Sequence, residues 1–117
     1  MEKFSVTLPL TGEYLTTVRL TTGGLCALVG FNVDETEDFK VCVTESLLIL
    51  KRNGYATANI DFCVGEALRC AIVGVGDCGE KADGFEDEIS SALLSALVGN
   101  VEFKKDGDIV TGIVFEG

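Results

Sequence analysis

Histidine is missing from all 117 residues. Without an imidazole the chain cannot build a Ser-His-Asp or Cys-His pair, and a zinc site would have to rest on clustered thiolates. The five cysteines (Cys26, Cys42, Cys63, Cys70 and Cys78) form no CxxC pair and no such cluster in sequence. Four sit among apolar neighbours, so an odd count without an export signal reads as reduced, buried thiols. Cys78 alone falls in a loop. Basic residues are also scarce: nine against nineteen acidic ones, a net charge of −10. A field of that sign repels DNA, RNA and anionic lipid, so neither nucleic acid nor a membrane surface is an expected partner. It also repels ATP unless local donors or a metal ion overcome it, whereas basic protein partners are compatible. No run approaches the roughly 20 apolar residues of a membrane span. The first residues, Met1 to Ser5, lack the basic and apolar regions of a signal peptide, and a cytoplasmic location is expected.

What is present is enough apolar residue, 47%, for one core in one domain spanning 1–117. Phe4-Ser5-Val6-Thr7-Leu8 alternates as an opening strand, and Pro9, the only proline, ends it. From Gly12 to Val29, Leu15, Val18, Leu25 and Val29 fall on one helical stripe with Thr22 in its gap. Gly23-Gly24 costs that helix about 1 kcal/mol per glycine relative to alanine and predicts close packing of backbones there. Gly30 suits the stop. Asp34 as N-cap with Glu37 three residues on opens a second helix. Phe39, Val43, Leu47 and Leu50 make its core stripe, Lys51-Arg52 complement its dipole, and Asn53-Gly54 closes it.

Ile60, Phe62 and Val64 alternate, as do Leu68, Cys70 and Ile72, around Gly65-Glu66, which suits a two-residue type II′ turn. Residues 74–88 are glycine-rich and acidic and read as a loop. The carboxylates Asp77, Glu80, Asp83, Glu86, Asp87 and Glu88 do not match EF-hand spacing and read as solvated. Ile89 to Val98 is a third helix, and Val101–Lys104 with Ile109–Phe115 a closing hairpin around Asp106-Gly107. The order β-α-α-β-β-α-β-β predicts a two-layer α/β sandwich, a mostly antiparallel mixed sheet with helices on one face.

Several of these residues carry a resemblance. A strand leads to a helix with Glu13-Tyr14-Leu15 and Val18-Arg19-Leu20. A Gly30-Phe31 break then leads to Asp34-Glu35, Glu37-Asp38-Phe39-Lys40-Val41 and Val43-Thr44-Glu45-Ser46. This pattern resembles the anti-sigma-factor serine/threonine kinases of the histidine-kinase-like (GHKL, Bergerat-fold) ATPase superfamily. The likeness spans nearly the whole chain, strongly over 4–77 and weakly over 78–98.

The resemblance implies a nucleotide site in the family and tells where its parts fall here. An E-x-x-x-N pattern on the second helix puts a general base and a magnesium-binding asparagine on one face. Glu45 stands at the base position, either solvated or paired with Lys51 or Arg52 if no nucleotide engages it, and Ile49 replaces the asparagine. Isoleucine has no lone pair for a cation. A D-x-G-x motif reads adenine in the family. Gly74 stands at its aspartate and Gly76 at its glycine, with Asp77 displaced by three residues. Losing such an acceptor costs on the order of 2–3 kcal/mol of ligand binding. The phosphate-cradling G-x-G turn matches Asp87-Glu88-Ile89-Ser90-Ser91-Ala92, which holds no glycine, and the lid is shortened to about 78–88.

Three motifs are thus broken and one residue survives. Apolar Ile49, Leu48 and Val41 on the nucleotide-facing side imply either a filled core or an apolar groove. The expectation is a degenerate, non-catalytic relative acting through protein contacts, with no cofactor. Its partner would be a sigma factor or an anti-anti-sigma protein, or a second copy in a homodimer. The edge of the first strand and the first helix are the expected interface. The alternatives are an active kinase using ATP and magnesium in a divergent pocket, and a sensor taking a small molecule into the apolar pocket.

Overall fold

The computed structural model describes residues 2–81, 85–98 and 100–117. Their elements run β1 (Glu2–Pro9), α1 (Gly12–Leu28), α2 (Val33–Arg52), β2 (Thr57–Val64), β3 (Leu68–Val75), α3 (Phe85–Leu97), β4 (Asn100–Asp106) and β5 (Ile109–Glu116). This is the order expected. The five strands form one sheet in the order β1-β2-β3-β5-β4. Every pairing among them is antiparallel, so the sheet is not mixed. Hairpins join β2 to β3 and β4 to β5. The α1-α2 pair returns the chain from β1 to β2, and α3 carries it from β3 to β4.

The sheet has two unlike faces because side chains alternate across the pleat. Ile60 opposes Ile72 and Ile72 opposes Ile113, while Phe62 opposes Cys70 and Cys70 opposes Phe115, all fully or almost fully buried. These residues face the helices. Asp61, Arg69, Val73 and Glu102 alternate with them on the opposite, open face. Helix α2 lies across β2, β3 and β5, and α1 and α3 pack against it. Its predicted stripe, Phe39, Val43, Leu47 and Leu50, is buried, joined by Cys42, Ser46 and Ile49. Phe39 packs its ring against Phe31 and Phe115 at centroid distances of 5.9 and 5.1 Å.

The helix ends follow local chemistry, with corrections. The N-cap of α2 is Asn32, not Asp34. Its side chain accepts from the Glu35 amide at 2.8 Å, and the Glu35 carboxylate accepts from the Asn32 amide at 2.9 Å. The capping box is thus displaced by two residues, which leaves Asp34 and Glu35 in the first turn where the dipole favours them. At the C-terminus of α1, Gly30 has φ +80°, and the Gly30 and Phe31 amides donate to Ala27 and Cys26. Gly54, at φ +102°, ends α2 the same way. Within α1 the close backbone packing expected at Gly23-Gly24 is not found, and the one close neighbour is a side chain. A Cβ on Gly23 would sit 2.9 Å from Cε of Lys40, while Gly24 faces open space. Thr22 is buried and donates its hydroxyl to the Val18 carbonyl at 2.8 Å.

Two further boundaries move. Val64 pairs with Leu68, so three residues join β2 to β3 rather than a two-residue turn. Helix α3 begins at Phe85, four residues before the expected Ile89, because Glu86, Asp87 and Glu88 suit a helix N-terminus as well as a loop. Asp83, counted in the expected acidic loop, lies outside the described residues.

Candidate nucleotide site

Glu45 and Ile49 sit one turn apart on α2, on the side that meets α3. Ile49 is completely buried, and its carbonyl accepts from the Asn53 side-chain amide at 2.7 Å. Glu45 is half-buried, and its carboxylate accepts from the Ser90 hydroxyl of α3 at 2.8 Å. It is therefore neither solvated nor paired with Lys51 or Arg52, the two arrangements expected of it. Arg52 is drawn instead to α3, because the first turn of that helix offers it two carboxylates.

That junction is a continuous polar network. Arg52 donates from Nε to Asp87 at 2.6 Å and from Nη2 to the Ser90 hydroxyl at 2.6 Å, and its Nη1 lies 3.6 Å from Glu86. Asp87 accepts on its other oxygen from Asn53 Nδ2 at 2.8 Å. Asn53 Oδ1 accepts from the Val110 amide of β5 at 2.9 Å, tying the sheet in. The Arg52 and Asp87 side chains are 16% and 15% exposed, and Asn53 is fully buried. Desolvation at this depth is costly unless each group is paired. No described buried side-chain polar atom lacks a partner. Asp87 is therefore not a solvated loop carboxylate.

Gly74 lies near the end of β3, inside the strand rather than in a loop. The ring of buried Tyr55 stands directly over it: a Cβ on Gly74 would come within 2.5 Å of Cγ and Cδ1 of that ring. A real Cβ does not approach so closely, so the ring occupies the space an aspartate would need. Burial, followed by the neighbouring Cys78 and Asp106, pushes the Tyr55 phenol above its ordinary range. Gly76 follows at φ +82°, and it and Asp77 are exposed past the strand end. The chain then folds back over the end of α2, where the Gly79 amide donates to the Gly54 carbonyl at 2.8 Å. A Cβ on Gly54 would lie 2.6 Å from that backbone. The structure therefore brings Glu45 and Ile49 to one helix junction, Gly74 to an aromatic contact, and Gly76 and Asp77 to the surface.

Arg52, Asn53, Tyr55 and Ser90 build this region, and no sequence motif marks them as site residues. Arg52 and Asn53 read locally as helix-end residues, and Tyr55 follows the stop. An Arg-Asn pair at the end of a helix facing a Glu-Asp-Glu start is the one signal that could have paired them. The thiols behave as expected in part. Cys26, Cys42 and Cys70 are buried, Cys63 is half-buried on the open face, and Cys78 is exposed. Burial pushes the Cys26 thiol up to about 11 and the Cys42 thiol up to about 12, and raises Cys70 well above its usual range. No group of three or more metal-ligating side chains occurs among the described residues. Two hollows open elsewhere: one of about 510 Å³ at the β3-β5-β4 end of the sheet, and one of about 140 Å³ beside Phe31 and Phe39.

No helix among the described residues is long and apolar enough to cross a membrane. No family model matches the chain. It is similar to proteins named serine-protein kinase RsbW from Bacillus thuringiensis (strain Al Hakam), Bacillus mycoides (strain KBAB4) and Bacillus cereus (strain B4264). It is 32% identical to each over 54 residues. The matched stretch covers 46% of this chain and about a third, 34%, of the length of those relatives.

Proposed function

We propose that this chain is a single-domain, degenerate relative of the anti-sigma serine kinases, built on the GHKL fold, that acts by binding proteins rather than by transferring phosphate. The observation that carries this reading is the contact of Tyr55 with Gly74. It is supported by the α2-α3 junction, where Glu45, Arg52, Asp87 and Ser90 are spent on one another. The residues do not fit a magnesium nucleotide. Ile49 offers no lone pair, the purine-reading carboxylate is replaced by a glycine under an aromatic ring, and Asp87 and Glu88 would oppose phosphates. Functions are grafted on folds, so contact surfaces can persist after a catalytic site is lost.

The surface most suited to contact is α1 with the edge of β1. Over its 17 residues α1 carries one acid and one base, Glu13 and Arg19. Leu20 and Leu28 are 74% and 72% exposed. Thr16, Thr17 and Thr21 donate their hydroxyls to backbone carbonyls one turn earlier, so those groups are already satisfied. An exposed helix this poor in charge suits a protein partner, an anti-anti-sigma protein, a sigma factor or a second copy. Calorimetric titration with Mg·ATP tests the reading: no saturable heat is expected at sub-millimolar nucleotide. A saturable heat abolished by Glu45→Ala would establish a working nucleotide site instead.

A further inference from the structure

A second surface lies along α3, which like α1 packs against α2. Helices α2 and α3 run antiparallel: Arg52 at the end of α2 holds Asp87 at the start of α3, and the start of α2 meets the end of α3 around the 140 Å³ hollow. From Ile89 to Val98 the chain carries no charge. Leu94 and Val98 point inward and are buried. Ile89 and Leu93 are 54% and 37% exposed, with Ala92 and Ala96 beside them. Leu97, one turn beyond Leu93, is half-buried and forms a wall of the hollow with Phe31, Phe39 and Val98. The exposed stripe therefore runs along α3 directly into an aromatic-floored depression.

Acid guards both ends. Glu86 and Glu88 are exposed in the first turn of α3, and exposed Glu35 and Asp38 line the hollow at the far end. We propose that this stripe and hollow dock a basic amphipathic helix of a partner protein. Apolar residues spaced i, i+3/i+4, i+7 would lie on Ile89, Leu93 and Leu97, and a lysine or arginine would enter the hollow. The aliphatic stem of that residue packs on Phe31 and Leu97, and its cationic head meets Glu35, Asp38 and the aromatic face. A second copy of the chain does not suit the site. Two such stripes related by a two-fold axis set acid against acid, whether the helices run parallel or antiparallel. The site rests on the reading of the chain as a protein-contact module but uses a different face from α1 and β1.

The test is a titration of the isotopically labelled full chain with two synthetic helical peptides of about four turns. They share one leucine stripe, and one is flanked by lysines, the other by glutamates. Amide shifts are expected with the lysine peptide alone, confined to α3 and to residues 31–39. Leu93→Glu should weaken binding at least about tenfold, since it sets a charge in the apolar seat. The pair Glu35→Gln and Asp38→Asn should weaken it about fivefold, the worth of two rim charges, and the Glu35→Gln change keeps the side-chain acceptor that the Asn32 amide needs. Circular dichroism of the free variants checks that each stays folded. Equal binding of both peptides, shifts on α1 or the open sheet face, indifference to the variants, or self-association through α3 in sedimentation each overturn the proposal. A chain that takes no nucleotide yet fails these tests sinks this site and leaves the proposed function standing.

Discussion

Two helix surfaces of this molecule treat polarity in opposite ways. At the α2-α3 junction, Glu45, Ser90, Arg52, Asp87 and Asn53 lie close together and satisfy one another. On the outer face of α1, Leu20 and Leu28 stand in water on a helix whose only charged residues are Glu13 and Arg19. The first arrangement is turned inward: removing one member leaves a half-buried partner short of a hydrogen bond. The second is turned outward and contributes little to the fold. The contrast separates side chains that hold the molecule together from side chains left for something else to cover.

Substitutions can sharpen or break that contrast. The largest expected effect is at the inward surface. Arg52→Ala leaves Asp87 with Asn53 alone and should cost about 3 kcal/mol, the lower end for breaking a buried ion pair. The midpoint of urea unfolding measures it, and a loss below about 1 kcal/mol would mean the junction is solvated. Gly74→Ala should cost about 2 kcal/mol through overpacking against Tyr55. In a Tyr55→Ala background that cost should vanish, and a double-mutant cycle without coupling would contradict the contact.

A smaller effect belongs to Asp61 on the open face of the sheet. The Ser5 hydroxyl, the Asn59 amide and Lys3 at 3.6 Å hold its carboxyl below the ordinary range. A depressed folded pKa gives stability that is present above the ordinary carboxylate pKa and lost as pH falls through the lowered one. Its side chain is about a third exposed, so Asp61→Asn should cost about 0.5 kcal/mol at pH 7. The same substitution should flatten the fall of Tm in acid, and an unchanged acid limb would rule the linkage out. The smallest effect is expected at Leu20→Lys, within about 0.5 kcal/mol by thermal melting. A larger loss would show that α1 uses its outer face within the fold.

Much of the architecture was legible residue by residue. The stripe Phe39-Val43-Leu47-Leu50, the stops at Gly30 and Gly54, and the strand alternations all express rules that act within a few residues. The misplacements have local causes too. Asn32 and Asp34 are both good caps with a glutamate three residues on, and sequence spacing alone does not choose between them. Glu86 to Glu88 suit an acidic loop and a helix start alike. The candidate site was legible only in part. A bare position at Gly74 is plain in the sequence, whereas the ring that stands over it, Tyr55, is not.

By itself, then, the sequence determined the order of elements, the apolar faces of α2 and the sheet, and the absence of imidazole chemistry, because each depends on composition or on short periodic spacing. Only the tertiary structure decided that Arg52 meets Asp87 and Ser90, that Asn53 binds Val110, and that Tyr55 covers Gly74. The polar partners lie 35 to 57 residues apart along the chain, and their meeting depends on how α3 and the sheet settle against α2. That packing is a property of the whole core, and no local pattern records it.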